Sequence, residues 1–240
     1  MRMSETVARV PVPPEGLRPG QLGVVAIGRV IIGDVTATLV DLAQRGLVRI
    51  DEDTTAADGG WLLTLAVGAR SRSAQSAAEY EQVLIEGVAG AGKTGSLSVL
   101  ASQLPDTLEK TRHAIVQDAV RRGWLHHLHH DQRTDQGEEL VLRIRAFQRD
   151  LRHLKSAEGP QALTGRLLPY ALHFGLTDPA QDLLVRFAHA FTATFADLPG
   201  WKLPEHTRPP MVLSEVLEKP SIDEQMMDPM VQAGVWLTGW

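Results

Sequence analysis

The sequence predicts a mostly α protein of the α+β kind: two winged-helix-like units in tandem, each with a small two-stranded wing, followed by a helical C-terminal part. Three observations carry this expectation. Between residues 20 and 65 the apolar positions recur first at helical and then at strand spacing, in the order helix, helix, strand, turn, strand. The segments Ala43-Gln44-Arg45-Gly46-Leu47 and Val120-Arg121-Arg122-Gly123-Trp124 echo one another, each a helix closed by glycine and followed by a strand. Beyond Asp131, the residues Leu140, Ile144, Phe147, Leu151 and Leu154 step by four and three, which makes one buried stripe along a long helix.

Residues 1–19 carry Pro11, Pro13, Pro14 and Pro19 with Gly16 and read as an extended lead-in. The first unit covers 20–70. Its first helix lies within 20–32, and Asp34 caps a second helix whose apolar face is Val35, Leu39, Leu42 and Ala43 and whose end is Gly46. Residues 47–51 and 61–65 read as strands around a polar turn. The second unit, 71–135, has a helix over 74–85 with Ala77, Tyr80, Leu84 and Ile85 on one side. A Gly-rich connection and a segment over 97–104 come next, then a helix that Pro105 starts and Gly123 ends, and a strand over 124–128. The helical part, 136–198, holds the long stripe up to Gly159 and Pro160. It continues with a short segment over 167–176 and a helix over 179–196 with Leu183, Leu184, Phe187, Phe191 and Phe195 inward. Pro204, Pro209, Pro210, Pro220 and Pro229 then break up a Pro/Met/Trp-containing tail over 199–240.

Composition narrows the chemistry. The 240 residues are 43% hydrophobic and 22% charged, a balance that suits a globular core. The absence of cysteine excludes disulfides, thiolate metal sites, iron–sulfur clusters and cysteine nucleophiles. Arg29 interrupts the most apolar stretch, 20–32, before it reaches the roughly 18 residues a membrane helix needs. Residues 1–14 have no apolar core of a secretory signal, so a soluble, cytoplasmic protein without membrane insertion is expected. The net charge of −5 gives no basic excess for gripping nucleic acid.

Four patterns bear on function. Residues 87–94 match the phosphate-cradling loop, in which Gly87 and Gly92 free the backbone, Lys93 reaches phosphates and Thr94 meets magnesium; Val83-Leu84-Ile85 would be its entering strand. No later segment supplies four apolar residues ending in Asp, and Gly95 weakens the helix that must come after it. In the run His126-His127-Leu128-His129-His130, strand alternation puts His126 and His130 on one face, where they would capture a metal ion. DNA readout would fall to the helices over 34–45 and 105–122. The first offers Asp34 and Asp41 against Arg45, and the second balances Lys110, Arg112, Arg121 and Arg122 against Asp106, Glu109 and Asp118. Finally, Met226, Met230, Trp236 and Trp240 give the tail adaptable apolar side chains suited to a partner surface.

Several segments together resemble a known family: Pro13-Pro14-Glu15-Gly16-Leu17, the run from Ala37-Thr38-Leu39 through Arg45-Gly46, Tyr80-Glu81, Arg122-Gly123-Trp124, and Leu168-Pro169-Tyr170-Ala171-Leu172-His173-Phe174-Gly175-Leu176. In this order, over 13–201, they resemble the cytoplasmic C-terminal region of the YciQ-like predicted membrane proteins of unknown function. Members usually carry an extracytoplasmic domain and membrane helices, so the resemblance implies a soluble, truncated relative. It implies no activity and no catalytic residues.

The function expected from these readings is a non-catalytic adaptor that binds a protein or peptide through winged-helix modules, without a cofactor. Two alternatives stay open: an ATP- or GTP-binding protein using magnesium and the loop at 87–94, and a winged-helix DNA-binding transcriptional regulator. No nucleophile elbow, zinc-protease helix or paired nucleophile and base stands in the sequence; His173 beside Tyr170 reads as a packed, hydrogen-bonded residue.

Overall fold

A computed structural model of the chain describes residues 10–53, 60–69, 76–90, 102, 104–127, 132–178, 182–195 and 201. These residues form a mostly helical fold with one two-stranded antiparallel sheet. A 3-10 turn, Pro19–Gln21, leads into α1 (Leu22–Ile27) and α2 (Ile32–Gln44), then the hairpin strands β1 (Val48–Asp53) and β2 (Gly60–Leu65). Helices α3 (Glu79–Gly90), α4 (Pro105–Arg121) and α5 (Asp135–Glu158) come next in the chain. Two 3-10 turns, Pro160–Ala162 and Gly165–Leu167, connect to α6 (Leu168–His173), and α7 (Leu183–Phe195) comes after it. None of these helices is long and apolar enough to cross a membrane.

Helix α2 sits at the centre. Its sequence predicts one apolar face, but Thr36, Ala37, Thr38 and Val40 are buried along with Val35, Leu39 and Leu42. The turn at Pro19–Gln21, β1, α3, α4, α6 and α7 all pack on it. A helix sheathed on every side must satisfy its polar side chains internally. Thr36 and Thr38 do so by donating to the carbonyls of Ile32 (3.0 Å) and Asp34 (2.7 Å) one turn back. Gly20 lets the preceding turn approach: a Cβ there would stand 2.1 Å from Thr38 Oγ1.

The glycine echo in the sequence corresponds to two equivalent helix ends. After α2, Gly46 takes φ 68° and donates to Ala43, while Leu47 donates to Leu42; after α4, Gly123 takes φ 74° and donates to Val120, while Trp124 donates to Ala119. Both are six-to-one closures with glycine in the left-handed region. The two closures open into different structures. The first leads into β1, which pairs with β2 from Val48↔Leu65 to Asp53↔Gly60. The second leads to an isolated bridge, Leu125↔Arg133, in place of the strand expected over 124–128; residues 128–131 lie outside the described residues.

The helical part closes over this unit. On α5 the stripe Leu140, Ile144, Phe147, Leu151 and Leu154 is buried as its spacing requires. Thr134 caps that helix by accepting from the Gly137 amide. Phe187, Phe191 and Phe195 of α7 are fully buried, and Phe187 meets Trp61 of β2 edge-on at 5.5 Å. Leu183 and Leu184, expected inward, are only partly buried, and Val185 takes the fully buried place. The lead-in is stitched down rather than free: Leu17 is buried and its carbonyl accepts from the Tyr170 hydroxyl at 2.8 Å, while Arg122 donates to the Gly16 carbonyl.

Both tyrosines of the chain are buried, and burial pushes each hydroxyl above its ordinary value of 10.0. The unfolded chain therefore loses these protons first. Stability is full below pH 10 and falls as the pH rises beyond it. Alkaline titration followed by ultraviolet difference spectra should show no tyrosinate in the folded protein, and then a single rise coincident with loss of helical circular dichroism. The Tyr80 hydroxyl has no hydrogen-bond partner among the described residues. Tyr80→Phe should therefore leave the melting temperature unchanged or raise it.

Candidate functional site

Among the described residues, the two most deeply buried carboxylates, Asp34 and Glu81, each gather a cluster of donors. In the first, Asp34 is completely buried in the first turn of α2; it caps that helix end as expected, but from inside the first turn, by accepting from the amide of Ile31, which takes the N-cap position. One carboxylate oxygen accepts from the Gly23 amide (2.8 Å) and from His173 Nε2 (2.6 Å); the other accepts from the Ile31 amide (2.8 Å). Gly23 is required for the fit, since a Cβ would stand 2.2 Å from Asp34 Oδ2. The sequence places His173 beside Tyr170, but its partner is Asp34, 139 positions away in the chain.

The second cluster centres on Glu81 of α3, whose side chain is 1% exposed. Arg18 and Arg45 both donate to it, with Arg45 Nη2 at 3.0 Å, and so does the Ala78 amide at 2.9 Å. Arg45 also reaches Asp41 at 2.9 Å. Burial works to lower the Arg18 pKa, but the hydrogen bond and the charge of Glu81 outweigh it and raise it. Burial raises the Asp41 carboxyl against the pull of Arg45. The cluster ties Arg18 of the lead-in, α2 and α3 together.

An open concave surface among the described residues lies between α3 and α4. A groove of about 640 Å³ is lined by Glu79 and Val83 of α3 and by Glu109, Lys110, His113, Ala114, Gln117 and Arg121 of α4. Val83 and Ala114 form its apolar floor. On the rim, Arg121 bridges to Glu79 at 3.0 Å, and Glu109 pairs with Arg112 beside the groove. Lys110 and His113 are exposed and have no ion-pair partner among the described residues. The sequence contained this face as the recurrence Lys110, His113, Gln117 and Arg121, in steps of three and four along the outer side of a helix. It did not reveal that α3 would lie alongside.

Gly87 makes that pairing possible. It stands inside α3, not in a loop, and a Cβ there would fall 2.1 Å from the Thr107 methyl on α4. Val83, Leu84 and Ile85, read as the strand entering a phosphate loop, are helical. The chain thus enters the motif from a helix end, which presents carbonyls rather than the amides a phosphate needs. Gly92, Lys93 and Thr94 lie outside the described residues, as do His130, Met226, Met230, Trp236 and Trp240. His126 and His127 are exposed, and the His126 amide donates to Gln132 at 3.0 Å. Among the described residues no group of three or more ligating side chains converges on a metal position.

The two helices expected to meet DNA differ: α2 packs against protein over most of its surface, whereas α4 keeps Lys110, His113 and Arg121 exposed. Helix α2 is enclosed, and its wing is pinned to α7 by the Trp61–Phe187 contact and by Arg186 bridging to Glu52 at 2.7 Å. That strand also carries Asp51 and Asp53, which repel phosphate. On α4, Arg122 and Arg121 pair with Asp118, and Arg122 also covers the Trp124 ring at 5.2 Å. Of the four arginines along α5, Arg143 and Arg149 are exposed and Arg145 and Arg152 are partly buried.

A packing role for Gly87 and a phosphate role for the loop give different outcomes. Gly87→Ala should lower stability by about 1–3 kcal/mol through overpacking against Thr107, read by urea denaturation. Magnesium-ATP should leave the melting temperature of the wild-type protein and of Lys93→Ala alike unchanged; a shift that Lys93→Ala abolishes would restore the nucleotide reading. Comparison of the chain with known proteins gives no match to any family model, curated protein or solved structure.

Proposed function

We propose that the chain is a non-catalytic interaction module: a winged-helix-derived scaffold that docks a protein or peptide partner in the groove between α3 and α4. The single observation that carries this reading is the contrast between its charged groups. Asp34 with His173, and Glu81 with its two arginines, spend their hydrogen-bonding capacity on the fold, whereas Lys110 and His113 stand free on the rim of an open groove. Helix grooves with an apolar floor and a charged rim receive amphipathic segments. In this reading the units over 20–70 and 71–135 are winged helices whose DNA-reading surfaces have been turned inward to build a core. The resemblance of 13–201 to the cytoplasmic region of the YciQ-like proteins belongs to the same proposal, with the groove as what that region would offer its partners.

The test is capture of a partner by the immobilised full chain, alongside the double variant Lys110→Glu/His113→Glu. Both side chains are exposed, so the variant should keep the wild-type melting temperature while losing the partner. No stable partner, together with turnover of a substrate by the purified protein, would overturn the proposal. Retention on duplex DNA that weakens with salt and with loss of Arg121 and Arg122 would replace it with the regulator reading.

A further inference from the structure

We propose that residues 211–218 of the same chain occupy the α3–α4 groove at rest, so that the tail and a partner compete for one surface. This rests on the reading of the groove as a docking surface and names its first occupant. Trp201 fixes where the tail starts. Its ring is 4% exposed and lies under the Arg112 guanidinium, 5.9 Å from the ring centroid. Arg112 pairs with Glu109 of the groove rim three positions before it, so Trp201 lies on the flank of α4 that adjoins the groove. The chain leaving Trp201 need only cross that rim, within a helix diameter of about 10–12 Å. Met211 comes ten positions later, a span of up to roughly 33 Å when extended.

Length permits the contact, and pattern selects the segment. Between Pro210 and Pro220, Val212, Leu213, Val216 and Leu217 recur at helical spacing, with Glu215 and Glu218 off that face. The groove presents the complement: an apolar floor at Val83 and Ala114, and Lys110 without an ion-pair partner among the described residues. Charge agrees over the whole tail. Residues 202–240 hold six acids (Glu205, Glu215, Glu218, Asp223, Glu224, Asp228) against three bases (Lys202, Arg208, Lys219).

The chain has no cysteine, so an introduced pair is read without background. The full chain carrying Gln117→Cys and Val216→Cys is oxidised under mild conditions and compared with a control pair, Leu142→Cys and Val216→Cys, in which Leu142 is exposed on α5. Docking in cis should close the groove pair within one chain about tenfold faster than the control, because a docked segment raises the effective concentration well above that of a free tether. Equal rates, or no intrachain bond, would overturn the proposal. So would a bond formed only between chains, which would make a second copy the occupant. The charge-introducing variant Val212→Asp/Leu213→Asp separates this from the docking reading, since a released groove should capture more partner than the wild type. An intrachain bond with no partner bound by either version leaves the tail contact standing and defeats the docking reading. A partner held through Lys110 and His113 without that bond does the reverse.

Discussion

The Asp34 carboxylate is removed from water, and every hydrogen bond it makes must come from inside the protein. The Gly23 amide at the start of α1, the Ile31 amide ahead of α2 and the His173 ring on α6 supply them. A charge in that position is costly unless all its donors are in place. The three elements that provide them are therefore locked into one arrangement. The approach of α1 requires glycine at position 23, and the angle at which α6 crosses α2 follows from the reach of one imidazole. With α6 set, Tyr170 meets the Leu17 carbonyl, Phe147 of α5 meets Tyr170 edge-on at 5.3 Å, and the helical part closes over the first unit.

That closure decides what the rest of the surface can do. A helix that reads DNA lies open to the groove it enters; here α6 and α7 pack on α2, and the hairpin is held against α7 through Trp61 and Glu52. The Glu81 cluster acts in the same direction, anchoring the lead-in and α3 to the end of α2 with two arginines that a nucleic-acid binder would present outward. The groove between α3 and α4 lies off that central clasp, and Lys110 on its rim has no ion-pair partner among the described residues.

Much of this was legible in the residues. Periodicity located the long helix, because Leu140 to Leu154 face one core, and Gly46 and Gly123 marked two helix ends that prove geometrically equivalent. Periodicity fell short on α2, where the sequence shows one apolar face and the structure buries most of the helix, Thr36, Ala37, Thr38 and Val40 included. The signal was present in the shortage of charge, since Asp34 and Asp41 are the only charged residues of that helix. It could not say that Asp34 itself goes inside, because its partner His173 lies in a distant segment and one chain carries no record of that contact. The groove was half legible. The face of α4 was readable, but its pairing with α3 turns on Gly87 against Thr107, and the same glycine opens a match to a phosphate loop. A local motif and a long-range packing contact drew on one residue, and only the helix on either side of Gly87 distinguishes them.

The central claim is that one buried carboxylate organises the fold, and a double-mutant cycle between Asp34 and His173 tests it most directly. Urea unfolding of Asp34→Ala, His173→Ala and the double variant isolates the coupling between the two side chains. Asp34→Ala should cost on the order of 3–5 kcal/mol, because it leaves two buried amides and an imidazole without their acceptor. Part of that loss should disappear once His173 is already absent. An Asp34→Ala variant that loses less than about 1 kcal/mol, or that is strictly additive with His173→Ala, would contradict the account.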